Sequence, residues 1–357
     1  MKRWLPKLLA CVLALETLPV VASADEWSEL KEKGRAEGTV VVSTNFGLPS
    51  FREGLTSLFQ EKYGIKVDLR TMGSAESDTL LLRECAVNRA TLDVTIGGNG
   101  DPIYKAGCFA PIKPLLMLPE VVDGKYWKEG GLKFNDPKRE YLLEVITSLY
   151  GWIIINGDQI KNDELVYAKD LLKPQYAGKI AAFDPRVEGA GQNIASYLYE
   201  ILGENFVRDF YVGQKVVFSR DYSQLGEWIA RGTYSIGIGA VARGIEKFRK
   251  EGLPIKVIQL KDMAYVAGSV GVVRLSKGAP HPNAAAVFIN WFASQEGQLL
   301  FSKAIAEPSR RLDVPIDHVP EYMVPKPGVK YFDTYDWEFN FEKHPAIKQH
   351  VQAVIGR

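Results

Sequence analysis

Cysteine is scarce in this chain: there are three in 357 residues, and only Cys85 and Cys108 follow the first 24. No CxxC pair exists. The four histidines, His281, His318, His344 and His350, have neither HExxH nor another metal-ligand spacing, which argues against a zinc site. Charge of one sign is also missing: 44 basic residues face 43 acidic ones, so nothing favours nucleic acid as a partner. Beyond residue 24 no apolar run approaches the ~20 residues a membrane-spanning helix requires. Internal repeats and low-complexity tracts are absent.

The first 24 residues have the anatomy of an export signal. Lys2, Arg3 and Lys7 make a positive start, Leu8 to Val21 is mostly apolar, and Ala22-Ser23-Ala24 has the small-x-small form of a cleavage site. The mature chain then begins near Asp25. Glu16 and Pro19 interrupt the apolar stretch, which favours cleavage over anchoring. Cys11 follows a Leu-Leu-Ala of lipoprotein type, but Lys7 lies too close to leave an apolar segment ahead of it. Export to an oxidising compartment would allow Cys85 and Cys108 to pair, and two buried free thiols are the alternative. The remaining length exceeds the ~250 to 300 residues at which one core stops growing, so two lobes are expected.

Strands and helices alternate along the mature chain. A short helix over 27–36 precedes a β-branched strand over 38–44; Ser50 and Glu53 read as a capping box opening a helix to Tyr63, and a strand follows over 65–70. A further helix to Asn88 and a strand over 92–96 repeat the unit. A β-forming run over 150–156 starts a second series, with strands expected at 179–183, 215–218, 234–238 and 255–259 and helices between them. Residues 265–275 are rich in Gly and Val, two helices follow over 282–293 and 295–306, and an aromatic-rich tail from Glu307 reads as irregular but packed on the body. Alternation of this kind predicts an α/β protein whose sheets are mainly parallel and flanked by helices.

Six segments, Gly38 to Asn45, Ile65 to Glu76, Tyr150 to Asn156, Lys169 to Arg186, Gly232 to Gly239 and Asn283 to Gln298, resemble in order the extracellular solute-binding proteins of ABC importers, particularly the ferric-ion-binding group. The resemblance implies a two-lobed periplasmic-binding-protein-like fold of type II that closes on a ligand in the interlobe cleft. It implies crossings near Trp152 and Ser269, with 25–152 and 270–308 forming lobe 1 and 153–269 and 309–357 forming lobe 2. A periplasmic monomer that hands a small-molecule ligand to a membrane ABC permease follows from the same likeness. Ferric-binding relatives carry adjacent tyrosines just after the strand matched by 234–238, where phenolates suit a hard trivalent cation. Here Ala242-Arg243 stands in that place. A guanidinium forks onto carboxylate or phosphate, so an anionic ligand is expected instead of iron.

Ligands of open α/β sheets bind beyond the carboxyl ends of strands. That rule selects Ser43, Thr44 and Asn45 after the first strand, Gly73 and Ser74 after the second, and Gly98, Asn99 and Asp101 after the third; the same residue types also suit ordinary turns. In the second series Gly189, Gly191, Gln192 and Asn193 open a helix whose free N–H groups could receive an anion, with Arg186 and Arg243 as charge partners and Tyr222 as an orienting hydroxyl. Gly237-Ile-Gly-Ala-Val-Ala242 matches the dinucleotide fingerprint GxGxxA, but it falls late in the chain rather than in the first βαβ unit. Ala267-Gly-Ser-Val-Gly271 misses the hydrolase motif GxSxG at its first position. The expected function is therefore capture of a phosphate-, phosphonate- or carboxylate-bearing solute, without catalysis. A ferric carrier and an exported α/β hydrolase of phosphate or sugar esters are the alternatives.

Overall fold

The computed structural model describes residues 24–161 and 163–356. The expected export segment, residues 1–24, lies outside them apart from its last position. Two sheets, each covered by helices, form the bodies of two lobes. The first has the order Lys66–Thr71, Thr39–Thr44, Val94–Gly97, Val272–Ser276, Leu143–Glu144, Lys133–Phe134, with Phe109–Ala110 also paired to Val272–Ser276. The second has the order Val217–Ser219, Ile180–Phe183, Ile236–Ile238, Trp152–Asn156, Ile255–Gln259.

Both sheets are mixed, which corrects the expectation of mainly parallel ones. Each has a parallel trio made by its βαβ units. The strands added after a crossing, Val272–Ser276 in the first sheet and Trp152–Asn156 in the second, run antiparallel to that trio because the chain enters them from the opposite lobe. The β-branched runs are buried on both faces, as interior strands require. Val40 and Val42 pack with Phe51, Phe59, Phe288 and Trp291 in the first lobe, and Ile153, Ile155, Ile180 and Ile236 pack with Leu198 and Phe210 in the second.

The run 150–156 is two strands, Ser148–Tyr150 and Trp152–Asn156, because Gly151 sits at φ +82° with its α-carbon against Met263; a β-carbon there would lie 1.6 Å from the Met263 carbonyl oxygen. Ser148–Tyr150 pairs with Tyr265–Ala267, and Phe332–Asp333 completes a small three-stranded sheet at the crossings. The helix over 49–63 begins at Pro49 with Leu48 as its cap, so Ser50 is already helical and makes no capping bond. Proline's fixed φ at the first position of the helix sets the start there.

The tail is more regular than its sequence suggests. Arg310 donates its backbone N–H to the Val145 carbonyl, and its guanidinium reaches Thr147 (2.8 Å), Glu129 (3.0 Å) and Glu144 (3.3 Å) in the first lobe. Tyr322 then packs edge-on against Trp152 of the second sheet. Phe341 returns to Tyr104, and the final helix, His344–Ile355, lies along helix Ala190–Arg208. Cys85 and Cys108 form a disulfide with Cα atoms 5.6 Å apart, tying the end of helix Ser74–Ala86 to the segment before Phe109–Ala110.

Candidate functional site

Strand ends of the first lobe place Ser43 and Thr44 in buried positions and Asn45 in an exposed one. Register aligns Ser43 with Thr95, and Thr95 with Arg274 on the return strand, so all three side chains share one face. Gly73 is exposed and caps helix Ser74–Ala86 without a side-chain bond; Gly98 and Asn99 follow the third strand, and Asp101 opens a short helix. Thr44 Oγ1, Ser77 Oγ, Thr95 Oγ1, both amide atoms of Asn99 and Arg274 Nε are buried without a hydrogen-bond partner among the described residues. Unpaired buried polar atoms are costly, so this group calls for a polar partner beyond the side chains around it.

Four groups here escaped the sequence reading: Ser77, Asp78, Glu188 and Arg274. Burial pushes the Asp78 carboxyl up, with Arg274 opposing and Asp101 adding to the shift. Asp101 is likewise raised by burial against the pull of Lys348. Glu188 lies in the second lobe, yet after burial the charge that raises it most is Asp78. The two lobes therefore face each other here. Arg274 is fully buried over the Phe109 ring and 3.4 Å from Asp78. Its place in the Val-rich return strand hid it, because a lone arginine inside an apolar run carries no local pattern.

In the second lobe, Gly189 has φ +140°, and a β-carbon on it would lie 2.5 Å from the Tyr222 hydroxyl oxygen. On Gly191 a β-carbon would lie 2.1 Å from the Phe183 carbonyl oxygen, so the helix start rests directly on the strand end. Gln192 is buried and Asn193 half-buried on the first turn. Tyr222 stacks on Phe183 with centroids 3.9 Å apart and accepts the Ala190 N–H at 3.1 Å. Arg243 lies over the Tyr222 ring at 5.1 Å and makes no ion pair among the described residues. Gly189, Gly191, Tyr222 and Arg243 thus form one patch.

Arg186 does not join that patch as a free cation. Its guanidinium forks onto Asp184 at 2.8 and 3.0 Å, and Arg220 takes the same carboxylate at 3.0 Å. A cavity of about 360 Å³ is lined by Arg220, Asp221, Tyr222, Ser223, Arg243 and Gly244. Helix starts around it differ in kind. Asp221 caps helix Tyr222–Ala230 by accepting from Ser223 and Gln224 N–H groups, which closes that end to an anion. In helices Ala190–Arg208 and Ala242–Lys250 the cap residues Gly189 and Val241 make no side-chain bond, and at the first of these only the Ala190 N–H is taken, by Tyr222. Their positive ends are the ones left to face an anion.

The family model for bacterial extracellular solute-binding proteins matches residues 157–304. The chain carries the fold and the family signature of the extracellular solute-binding proteins. An uncharacterised protein of Haemophilus influenzae is 26% identical over 269 residues, 70% of this chain and 71% of that one. Among solved structures, the periplasmic binding protein AfuA from Actinobacillus pleuropneumoniae with fructose-6-phosphate bound superposes with a TM-score of 0.66 at 18% identity, over 88% of this chain and 98% of that one. Iron-bound HitA from Pseudomonas aeruginosa gives 0.65 at 17% identity, over 88% and 99%. Solute-binding proteins of one fold thus hold a sugar phosphate in one case and iron in the other, and the fold does not choose between them.

Proposed function

We propose that this solute-binding protein serves an ABC importer by capturing a small anionic solute bearing a phosphate, phosphonate or carboxylate group, closing its lobes around it and delivering it to the membrane permease. The observation that carries the reading is Arg243, a guanidinium without an ionic partner among the described residues, beside two helix starts whose cap residues make no side-chain bond. Arg243 and the N–H groups near Gly189 to Asn193 take up the charge. Ser43, Thr44, Asn45, Gly73, Ser74, Gly98, Asn99 and Asp101 supply the first lobe's side of the cleft, and Tyr222 orients the solute. Removal of the export segment would place the protein in the periplasm.

Iron is disfavoured by Arg243, whose guanidinium lies over the Tyr222 ring and would repel a cation held there. Thermal-shift screening of sugar phosphates, phosphonates, dicarboxylates, polyamines and ferric citrate tests the proposal, with a turnover assay on each hit. Stabilisation by an anion without turnover is the expected result. Tight ferric binding with phenolate absorbance, or hydrolysis of a phosphate or sugar ester, would replace it with the corresponding alternative.

A further inference from the structure

At the crossings, side chains from separate segments converge on one acid, Glu307, just beyond helix Gln295–Ile305. Ser148 Oγ donates to Glu307 Oε2 at 2.6 Å, and Ser269 Oγ donates to Oε1 at 3.0 Å. The Tyr150 hydroxyl lies between the two oxygens at 3.3 and 3.4 Å. Next to them, Tyr335 donates its hydroxyl to the Ser269 carbonyl at 2.8 Å, and that hydroxyl is 3.9 Å from where a β-carbon on Gly98 would lie. The acid therefore sits at the floor of the cleft and keeps a minor part of its surface exposed. All three of its donors are neutral. Among the described residues no lysine, arginine or histidine forms an ion pair with it, and the charge of Arg243 in the anion patch reaches it.

An ionised carboxylate offers about four acceptor positions, and three hydroxyls leave one unfilled. Taking such a charge out of water costs several kcal/mol when no cation compensates it. A latch between the crossing strands would not require that charge, since a glutamine at this place could accept one hydroxyl on its carbonyl oxygen and donate its amide to another. The charge would also repel the anion that Arg243 and the helix starts attract. Both costs are offset if the solute brings its own donor to this spot. Resting on the anionic-solute reading above, we propose that Glu307 determines specificity: the solute carries a hydroxyl or ammonium donor remote from its anionic group, and the unfilled acceptor position of Glu307 receives it. The solute is thus bipolar, with its anion toward Arg243 and its donor toward Glu307.

Isothermal titration of the protein with ethyl phosphate, 2-hydroxyethyl phosphate and 2-aminoethyl phosphate tests this. The matched carboxylates propanoate, 3-hydroxypropanoate and 3-aminopropanoate form a second series, and inorganic phosphate reports the anionic end alone. In at least one series the donor-bearing member should bind roughly 10- to 100-fold more tightly than its parent, as expected for a hydrogen bond to a charged group. Comparison of the hydroxyl and amino members identifies which donor is read. Glu307→Ala and Glu307→Gln, checked for folding by thermal unfolding, should bring that ratio close to one. A parent compound that binds wild-type protein as tightly as its substituted partners in both series overturns the proposal and leaves the anionic reading standing. So does an undiminished ratio in a folded variant. No binding by any probe, inorganic phosphate included, overturns both.

Discussion

His344 offers a test of the structure at a single titrating group. It opens the last helix, with Lys348 one turn further on, and its Nε2 lies 3.1 Å from Ser196 Oγ while the ring stacks on Phe339. Burial, and then the charge of Lys348, lower its pKa from 6.5 to about 4. A depressed folded-state pKa contributes stability that is present above pH 6.5 and is lost as pH falls toward and through about 4. The complete shift is worth roughly 3 kcal/mol, of which ~2 kcal/mol should already be lost between pH 7 and pH 5. Urea unfolding at both pH values, on wild type and on His344→Gln, isolates this share from that of the carboxylates, because glutamine keeps a partner for Ser196 without titrating. Wild type should lose ~2 kcal/mol more than the variant over that interval. An imidazole resonance, assigned by its loss in the variant, that titrates near the ordinary histidine range would refute the packing described here. So would an identical pH response in the two proteins.

Removing the Cys85–Cys108 disulfide frees a loop with a sequence separation of 23 residues. The chain-entropy model puts that loss at ~3 kcal/mol, so Cys85→Ala/Cys108→Ala should unfold at markedly lower urea while reductant no longer affects it; an unchanged first-lobe transition would contradict this. Arg243→Ala should weaken a confirmed anionic ligand by ~2 to 5 kcal/mol in calorimetry if its partner charge is buried, and unchanged affinity would remove Arg243 from the site. Asp78, Asp101 and Glu188 face one another across the lobes beside Arg274, Lys348 and Tyr222, and burial raises all three carboxyls. Raised acids favour the packed arrangement at low pH, and that contribution is lost as pH rises above the ordinary carboxylate range. Small-angle scattering of the ligand-free protein should therefore show expansion on going from acid to neutral pH, reduced in Glu188→Gln; dimensions independent of pH would contradict it.

Much of the architecture was legible because the signals were local. The β-branched runs at 39–44 and 255–259, the short apolar run at 180–183 and the helix Pro282–Ala293 declare themselves within a few residues. Strand direction was less legible, since Val272–Ser276 gives no local sign that its neighbours run the other way. Within the candidate site, glycines and small polar residues at strand ends marked the turns, and Arg243 stood out through its place after a strand. Arg186 misled because its partner Asp184 lies two residues away, and that short-range fork consumes the charge. Arg274, Asp78, Glu188 and Glu307 come from four distant segments. Only the folded chain brings them to one cleft.

The tail bears on how much the protein can move. After the two crossings the chain visits the first lobe at Arg310, the second at Tyr322, the first again at Phe341, where Lys105 Nζ donates to its carbonyl at 2.7 Å, and the second once more in the final helix. Two bodies tied by repeated covalent passes keep few independent directions of relative displacement. Sliding and twisting are suppressed, and rotation about the line of the small three-stranded sheet is the displacement that strains these passes least. Fewer soft modes are then frozen when a solute is captured, which lowers the entropic cost of ordering and leaves more of the contact energy to appear as affinity.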